Sequence, residues 1–517
     1  MYSAIGSPGS SSSPPALPDV KLQDIAENVR VLRSNFATGA TRDVALRKQL
    51  LKQLRNLLHD GEPALKEALW KDLHKHPTET YAAELSLLYG EIQDHLDQLD
   101  DWANPERVTT NIVNLPGLSY IKREPLGIVC IFGTWNYPAN LLLTPLIAAI
   151  SAGNCVLMRL AGEDTTMHFN NVLIGLLDKH MDSRYIRYVY GGIQETQEIL
   201  QEKFDLIFAT GGTFLGKIVA KAAAETLTPV VLELGGKTPT IIDASADIAL
   251  AARRIGWGAF INSGQTCVRP DYILIDASVG DYFVKALQGI VHEFYGQDPK
   301  QSEFYGRVIN SRAYDRLSKL LEADRKYVTF GGESDEKERY FAPTIFNFKT
   351  DLQAFKECAT MQEEVFGPLL PVYYYEPGNL SFAIDFVTSR DKPLALYVFS
   401  TTGENKQRVV NETSAGSLVV NDTMMQLSNP HVPFGGVGNS GMGAYHGKFG
   451  FEAFSHRKAV IYKYSVLDLP QRYAPYTPAS ERVLRIVQYP FSRAQVRIVL
   501  LVLLASVVAV VAAIVGA

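Results

Sequence analysis

The chain has few cysteines for its length. Four occur in 517 residues: Cys130, Cys155, Cys267 and Cys358. They show neither a CxxC pair nor the paired spacing of a disulfide framework, so we expect reduced thiols in a cytosolic setting. The sequence also shows no cluster of metal ligands, and we expect no bound metal.

The chain also lacks an excess of positive charge. Its net charge is -5, and no basic stripe interleaved with aromatic residues is present. Nucleic acid is therefore not an expected partner. With 46% hydrophobic residues the chain can bury a large core, and its length predicts two or three domains.

The two ends of the chain differ in composition. Residues 1–20 are rich in Ser, Pro and Gly and lack the apolar core of a secretory signal, which predicts a disordered tail. Residues 498–517 carry no charge, and a helix of that length spans about 30 Å, the thickness of a bilayer's hydrocarbon core. We expect a transmembrane helix there, with a buried core helix as the alternative.

Positive charge precedes this apolar segment, on Arg482, Arg485, Arg493 and Arg497. An excess of Lys and Arg is typical of the cytoplasmic side of a membrane helix. We therefore expect a single-pass C-terminal anchor with the body of the protein in the cytosol. The segment's length suits a thin bilayer such as the endoplasmic reticulum without selecting it.

Helices precede a block in which strands and helices alternate. Apolar residues recur every three or four positions between Thr41 and Asp60, which predicts an amphipathic helix that ends at Gly61, and a second helix is expected at 81–102. Short apolar runs follow, separated by helix-length segments, at 126–132, 155–160, 185–190, 204–209 and 229–234. This alternation predicts an α/β fold with a mostly parallel sheet, in which ligands bind beyond the carboxyl ends of the strands.

A second alternating block begins near Pro239. It contains a predicted helix at 246–260, a strand at 272–276 and a helix at 281–294. We interpret this block as a separate catalytic domain.

Two motifs carry candidate reactive side chains. The stretch 262–267 places Cys267 among small and polar residues, and ELGGK places Glu233 at the end of a strand. Only the thiolate is a good nucleophile, and an ordinary cysteine is a few per cent ionised at neutral pH, so such a site needs activation. Taken alone, Cys267 could be a small buried apolar residue and Glu233 a surface carboxylate.

Two turns that follow strands carry candidate binding groups. Residues 210–217 place glycines between a strand and a helix, where the backbone can approach a phosphate. Their spacing is neither that of a Rossmann fingerprint nor that of a P-loop, so a plain turn is the alternative. Asn136 follows the strand at 126–132; its amide either caps the turn or donates to a developing oxyanion.

In this order the motifs resemble those of the aldehyde dehydrogenase superfamily, and within it the class 3 or fatty aldehyde dehydrogenase branch. The resemblance runs from about residue 25 to 465. It is carried by GTWNYP at 133–138, ELGGK at 233–237, GQTC at 264–267, EEVFGP at 363–368 and PFGGVGNSGMGAYHGK at 433–448.

The resemblance implies a domain organisation. A Rossmann-type coenzyme domain would occupy 21–232, with a bridging segment near 106–125, and the catalytic domain would occupy 233–430. Residues 431–468 would return to the coenzyme domain and add a bridging strand. Residues 469–497 would then link to the membrane helix.

The resemblance also implies an activity, the NAD(P)-dependent oxidation of an aldehyde to a carboxylic acid. Cys267 would attack the aldehyde, while the Asn136 amide and the backbone N–H of Cys267 hold the oxyanion. Glu233 would activate the water that hydrolyses the thioester. The remaining matched positions would bind the coenzyme: Gly211, Gly212, Thr213 and Gly216 at the pyrophosphate, Glu364 at the nicotinamide ribose and Phe366 beside the ring.

The sequence departs from the family pattern in two places, the stretch 159–162 and Arg269. Where most relatives read Lys-Pro-Ser-Glu, this chain reads Arg159-Leu160-Ala161-Gly162. A lost carboxylate and a gained guanidinium both ease the binding of a 2′-phosphate, so we expect use of NAD with unusual tolerance of NADP. Arg269, two residues past Cys267, either lowers the pKa of the thiol or points away from it.

A membrane anchor would hold the enzyme where apolar aldehydes partition, which favours a long-chain apolar substrate. Fatty aldehydes and polyene or isoprenoid (apocarotenoid) aldehydes both remain open. A homodimer is the family default. A coenzyme A-acylating enzyme would need no base for water, and an inactive scaffold would lack a catalytic group. The presence of Cys267, Glu233 and Asn136 argues against both rivals.

Overall fold

The computed structural model describes residues 24–162, 164–465, 468–490, 492, 494–495, 497–498, 501–502, 505–506 and 508–509. The described residues form two compact units. One contains the chain up to Ala103 together with Arg123–His456, and the other contains Asn104–Lys122 together with the chain from Arg457 onward. The predicted disordered tail, 1–20, lies outside the described residues.

Helices and strands alternate through most of the described chain. The helices are α1 (Ile25–Ala37), α2 (Val44–Leu73), α3 (Pro77–Thr80), α4 (Ser86–Ala103), α5 (Pro138–Ala152), α6 (Met167–His180), α7 (Ile193–Ile199), α8 (Thr213–Glu225), α9 (Ile248–Phe260), α10 (Ala277–Tyr295), α11 (Ser311–Asp324), α12 (Leu352–Glu357), α13 (Ala359–Gln362), α14 (Leu380–Thr388), α15 (Gly403–Glu412), α16 (Gly447–Ala453) and α17 (Pro478–Val487). The strands are β1 (Glu106–Val108), β2 (Leu118–Pro125), β3 (Ile128–Phe132), β4 (Cys155–Leu160), β5 (Ile186–Tyr190), β6 (Leu206–Thr210), β7 (Val230–Glu233), β8 (Pro239–Ile242), β9 (Tyr272–Asp276), β10 (Val328–Phe330), β11 (Ser334–Asp335), β12 (Tyr340–Phe341), β13 (Thr344–Asn347), β14 (Leu369–Tyr375), β15 (Ala395–Phe399), β16 (Ser417–Val420), β17 (Gly441–Met442) and β18 (Ser455–Tyr462).

Helix α2 continues past Gly61, so the predicted stop there is wrong. The helix runs through Pro63 to Leu73 and ends where His74 adopts a left-handed conformation. Gly61 is buried, and a Cβ atom at this position would overlap the end of the Leu176 side chain of α6. The glycine therefore serves the close packing of two helices and not a helix end.

The second predicted helix, at 81–102, is present in two pieces. A π-helical turn at Tyr81–Leu85 joins α3 directly to α4. Such turns carry one residue more than an α-helical turn and are frequent at functional sites. This turn faces the cavity described below.

The first sheet has the strand order β17-β7-β6-β3-β4-β5. Strands β3 to β7 run parallel, and the short β17 pairs antiparallel with β7. The apolar runs of the sequence become these five parallel strands, which confirms that prediction. Thr210 of β6 lies beside Glu233 of β7 in register, so the glycine turn and the glutamate meet at the carboxyl edge of the sheet.

The second sheet has the strand order β10-β13-β14-β9-β8-β15-β16. Its strands are parallel except β10, which is antiparallel to β13. The predicted strand at 272–276 is β9, and the flanking helices α9 and α10 are present. The α/β fold with mostly parallel sheets is thus confirmed, whereas the division into a coenzyme domain and a catalytic domain stays a prediction.

The smaller unit contains a three-stranded sheet with the order β1-β2-β18, in which β1 and β2 are antiparallel. It also contains α17, inside the stretch read from the sequence as a linker. Thr477 caps this helix by accepting the N–H of Ser480 at 3.1 Å, and Pro478 occupies its first turn.

Among the residues that the structure describes, no helix has the length and apolar character needed to cross a bilayer. The predicted transmembrane helix, 498–517, lies largely outside those residues.

Candidate active site

Cys267 lies in a loop of unusual backbone conformation that follows α9. Three consecutive residues of this loop, Asn262, Ser263 and Gly264, have φ values of 51°, 54° and 71°. Left-handed conformations are costly for residues other than glycine and persist only where the surroundings fix them. One fixing contact is the N–H of Asn262, which donates to Glu79 Oε1 at 3.1 Å.

The loop also makes a close backbone approach to the EEVFGP segment. A Cβ atom at Gly264 would overlap the carbonyl oxygen of Gly367. In the same way, a Cβ at Gly235 of ELGGK would overlap the carboxyl group of Glu364. Glycine at these two positions therefore allows three motifs that are separated in sequence to come into contact. They are GQTC with Cys267, EEVFGP with Glu364 and ELGGK with Glu233.

Asn136 is buried and fixed to the same loop. Its Nδ2 donates to the carbonyl oxygen of Gln265 at 3.0 Å. Its backbone carbonyl accepts from Asn262 Nδ2 at 2.8 Å and from Lys75 Nζ at 2.9 Å. A side-chain amide carries two N–H donors, so one remains for a ligand next to Cys267.

Asp271 holds the motifs together through a buried ion network. Its Oδ1 accepts from Arg269 Nη1 at 2.8 Å and from the N–H of Val365 at 3.2 Å, and its Oδ2 accepts from Lys237 Nζ at 2.5 Å. Arg269 also donates to the carbonyl of Leu369 at 3.0 Å. Of the two alternatives for Arg269, the structure selects the one in which it points away from the thiol.

Cys267 lines a cavity of about 610 Å³. Ala82 and Ala83, on the π-helical turn, leave room in one wall. The rest is largely apolar and aromatic and includes Tyr137, Trp257, Phe294, Phe304, Phe434 and Tyr445. Concave apolar sites with a few polar groups are typical of small-molecule binding.

The model of the aldehyde dehydrogenase family matches residues 7–460. The chain belongs to the aldehyde dehydrogenase family. A 4,4'-diaponeurosporen-aldehyde dehydrogenase of Staphylococcus aureus is 44% identical over 441 residues, covering 85% of this chain and 94% of the relative. A dimeric NADP-preferring aldehyde dehydrogenase of Rattus norvegicus is 41% identical over 464 residues, covering 90% and 100%. The substrate-bound structure of Staphylococcus aureus AldH superposes with a TM-score of 0.86 at 41% identity, covering 90% of this chain and 100% of that one.

Aldehyde dehydrogenases use NAD or NADP, and the described residues fit such a coenzyme. Gly212 precedes α8 without a side-chain cap, and a Cβ atom there would meet open space, so the helix N-terminus is free to receive a phosphate. Gly216 packs against Leu234, which brings α8 close to the sheet. Glu364 Oε1 is buried without a hydrogen-bond partner, as expected of a group that awaits a hydroxyl donor.

The remaining predicted coenzyme residues lie on neighbouring turns. Thr213 is the first residue of α8. Gly211 packs against Leu215 of the same helix, so it shapes the turn. Phe366 has a φ of 45° and its ring meets that of Trp135 edge-on, with centroids 5.5 Å apart.

Arg159 is directed at the turn that follows β5. Its Nη2 donates to the carbonyl oxygens of Gly191 and Gly192 at 2.8 and 3.3 Å, whereas its Nε is buried without a partner. Glu195 lies beside it and accepts the N–H of Gly192 at 2.6 Å. The guanidinium therefore has N–H donors left for a ligand, and it lies next to the Glu195 carboxylate. Gly162 packs on the same turn.

Burial dominates the electrostatics around the thiol. It raises the pKa of Cys267 to about 12, and the carboxyl groups of Glu364 and Glu233 add to this rise, while the N–H groups of Cys267 and Val268 oppose it. Burial also raises the pKa of Glu364 to about 8 and that of Glu233, both of whose oxygens lack partners, well above its ordinary value. Burial and the neighbouring carboxyl groups therefore favour the protonated form of the thiol at neutral pH.

Sequence reasoning missed Lys75, Glu79, Asp271 and His446. Lys75 is fully buried, with its Nζ 2.6 Å from Glu84 Oε1, and His446 lines the cavity. Two of them lie in or next to the motifs, since Asp271 is four residues after Cys267 and His446 is part of the last motif, 433–448. Their partners are distant in sequence, so spacing alone does not reveal their roles.

We predict that Cys267 of the coenzyme-free protein reacts slowly with iodoacetamide and that the rate rises with pH beyond the ordinary range for a thiol. Glu364→Gln should raise the rate at mildly alkaline pH at least about threefold, because loss of a negative charge lowers the pKa of the thiol. The measurement is the labelling rate at this cysteine by mass spectrometry across pH. Glu363→Gln, at an exposed neighbour, should leave the rate unchanged. An ordinary thiol titration in the unsubstituted protein would contradict the prediction.

Proposed function

We propose that this aldehyde dehydrogenase oxidises an apolar aldehyde to its carboxylic acid through a thioester on Cys267, with Glu233 and Asn136 as the other catalytic residues. The observation that carries the proposal is the opening of Cys267 onto the apolar cavity, with the motifs of Asn136, Glu233 and Glu364 packed around its loop.

In the first step the Cys267 sulfur bonds to the aldehyde carbon. The thiol proton is released to solvent, and the carbonyl oxygen gains negative charge. The free N–H of the Asn136 amide and the backbone N–H of Cys267 are the donors for this oxyanion. The coenzyme, when bound, supplies the hydride acceptor for the resulting thiohemiacetal.

In the second step water hydrolyses the thioester. Glu233 takes one proton from water, hydroxide adds to the acyl carbon, and the carbon–sulfur bond breaks to give the acid and the Cys267 thiol. A buried carboxylate with a raised pKa is a stronger base than an exposed one, which suits it to this task.

We predict that Cys267→Ala lowers NADH formation at least about a thousandfold, because no covalent intermediate can form. Glu233→Gln should lower steady turnover about a hundredfold yet keep an initial burst of NADH, because only hydrolysis is impaired. Stopped-flow absorbance of NADH measures both phases. Normal steady turnover in Glu233→Gln would contradict the assigned base, and acceleration by added coenzyme A would favour the acyl-transfer rival.

We further propose that the enzyme uses NAD and tolerates NADP, through the partly engaged Arg159 and the absence of a carboxylate at Gly162. The rat relative is named as NADP-preferring, which is in line with this proposal.

We predict that kcat/KM with NAD exceeds kcat/KM with NADP by less than about a thousandfold. Arg159→Leu should lower kcat/KM with NADP at least about tenfold and leave kcat/KM with NAD unchanged, because the guanidinium would contact only the 2′-phosphate. Equal losses for both coenzymes would contradict the assignment to the 2′-phosphate.

The proposed substrate class is a long-chain apolar aldehyde. The largely apolar cavity wall supports it, as do Trp257 and Phe304, which are 37% and 51% exposed. The name of the Staphylococcus aureus relative specifies a diaponeurosporen-aldehyde, which supports a polyene aldehyde as the alternative to a fatty aldehyde.

We predict that kcat/KM rises with chain length across saturated aldehydes, because each buried methylene contributes about 0.8 kcal/mol. NADH formation over such a series, with one polyene aldehyde beside it, is the measurement. Equal or higher values for short water-soluble aldehydes would argue against a long apolar substrate.

We propose a homodimer anchored by residues 498–517 with its catalytic body in the cytosol. The uncharged C-terminal run and the arginines before it support the anchor, and the rat relative is named as dimeric.

We predict that the full chain stays with membranes after alkaline carbonate extraction and that removal of residues 491–517 releases it. Release of the full chain would contradict the anchor. Light scattering of the shortened chain measures the subunit number.

A further inference from the structure

The apolar cavity has one acidic side chain in its wall. Glu79, at the third position of α3, lines the cavity and is half-buried. Among the described residues that line the cavity, none is lysine or arginine, and Glu79 is the one carboxylate. The other titratable bases in the wall are His76 and His446, and burial lowers the pKa of His446. An anion that enters this space therefore meets no permanently charged cation.

The cation whose charge acts on Glu79, Lys75, is already engaged. Lys75 Nζ lies 2.6 Å from Glu84 Oε1 and 2.9 Å from the carbonyl oxygen of Asn136, and it faces the Tyr137 ring at 4.2 Å. Both charged partners of this pair are fully buried, so their charges largely cancel. The negative charge of Glu79 is left without a direct ion pair within the described chain.

Glu79 also has a structural contact. Its Oε1 accepts the N–H of Asn262, the first left-handed residue of the Cys267 loop. An amide oxygen can accept the same hydrogen bond, so Glu79→Gln removes the charge while it keeps this contact. Burial raises the pKa of Glu79 to about 7, with Lys75 lowering it and Glu84 adding to it, so the carboxyl group is ionised in mildly alkaline solution.

We propose that Glu79 is a specificity-determining residue that excludes aldehydes carrying a negative charge from the cavity. The inference rests on the proposed aldehyde oxidation and narrows its substrate class to neutral aldehydes. An anionic substrate would lose its hydration in a low-dielectric space and meet a like charge there. Discrimination against a wrong substrate by an unpaired like charge is a common device of specificity.

The test compares an ω-oxo carboxylic acid with its methyl ester, which have the same aldehyde and chain and differ in charge. NADH formation is measured above the pKa of Glu79. The unsubstituted enzyme should prefer the ester by at least about tenfold in kcat/KM. Glu79→Gln should reduce that preference about tenfold, read as the ratio of ester to acid within each variant, so that any change common to both substrates cancels.

Two further variants sharpen the result. Glu67→Gln removes the same charge from an exposed position of α2, outside the cavity, and should leave the preference unchanged. Thr78→Lys adds a cation to the cavity wall and leaves the Glu79 contact to Asn262 in place; it should reduce the preference even if Glu79→Gln folds poorly.

An unchanged preference in both Glu79→Gln and Thr78→Lys would overturn the inference, as would equal use of acid and ester by the unsubstituted enzyme. Absence of NADH formation with every neutral aldehyde is a distinct result. It would overturn the proposed function, and the inference would fall with it.

Discussion

The buried carboxylate of Asp271 is the interaction on which the site depends. It joins Lys237 of ELGGK, Arg269 of the cysteine loop and the N–H of Val365 in EEVFGP, three segments far apart in sequence. Loss of one member of such a network leaves a buried charge without a partner, which typically costs about 3–5 kcal/mol. The network therefore fixes the relative positions of Glu233, Cys267 and Glu364 more than it adds to net stability.

Close backbone approach is the second constraint. Gly235 and Gly264 leave no space for a side chain where the motifs touch, and Asn262 and Ser263 hold left-handed conformations beside them. Strain of this kind is sustained only by surrounding contacts. The consequence is that backbone packing sets the course of the loop that carries Cys267.

The sequence predicted the elements whose signals are local, since strands β3 to β7 follow from short apolar runs between turns. The assignment of Cys267 and Glu233 as catalytic residues follows from the order of the motifs and stays a prediction. The continuation of α2 through Gly61 escaped prediction because the reason is a neighbour more than a hundred residues away, Leu176. The direction of Arg269 and the position of Glu79 in the cavity wall escaped it likewise, because both depend on contacts with distant segments.

The π-helical turn at Tyr81–Leu85 gives the cavity an unusual route for evolutionary change. The turn holds one residue beyond an α-helical turn, and each helical residue advances the chain by about 100° around the axis. A single codon deletion there would rotate α3, with Glu79 and His76, relative to α4 without altering either side chain. A deletion of one residue in this turn would thus change which side chains of α3 face the cavity, without any substitution of those side chains.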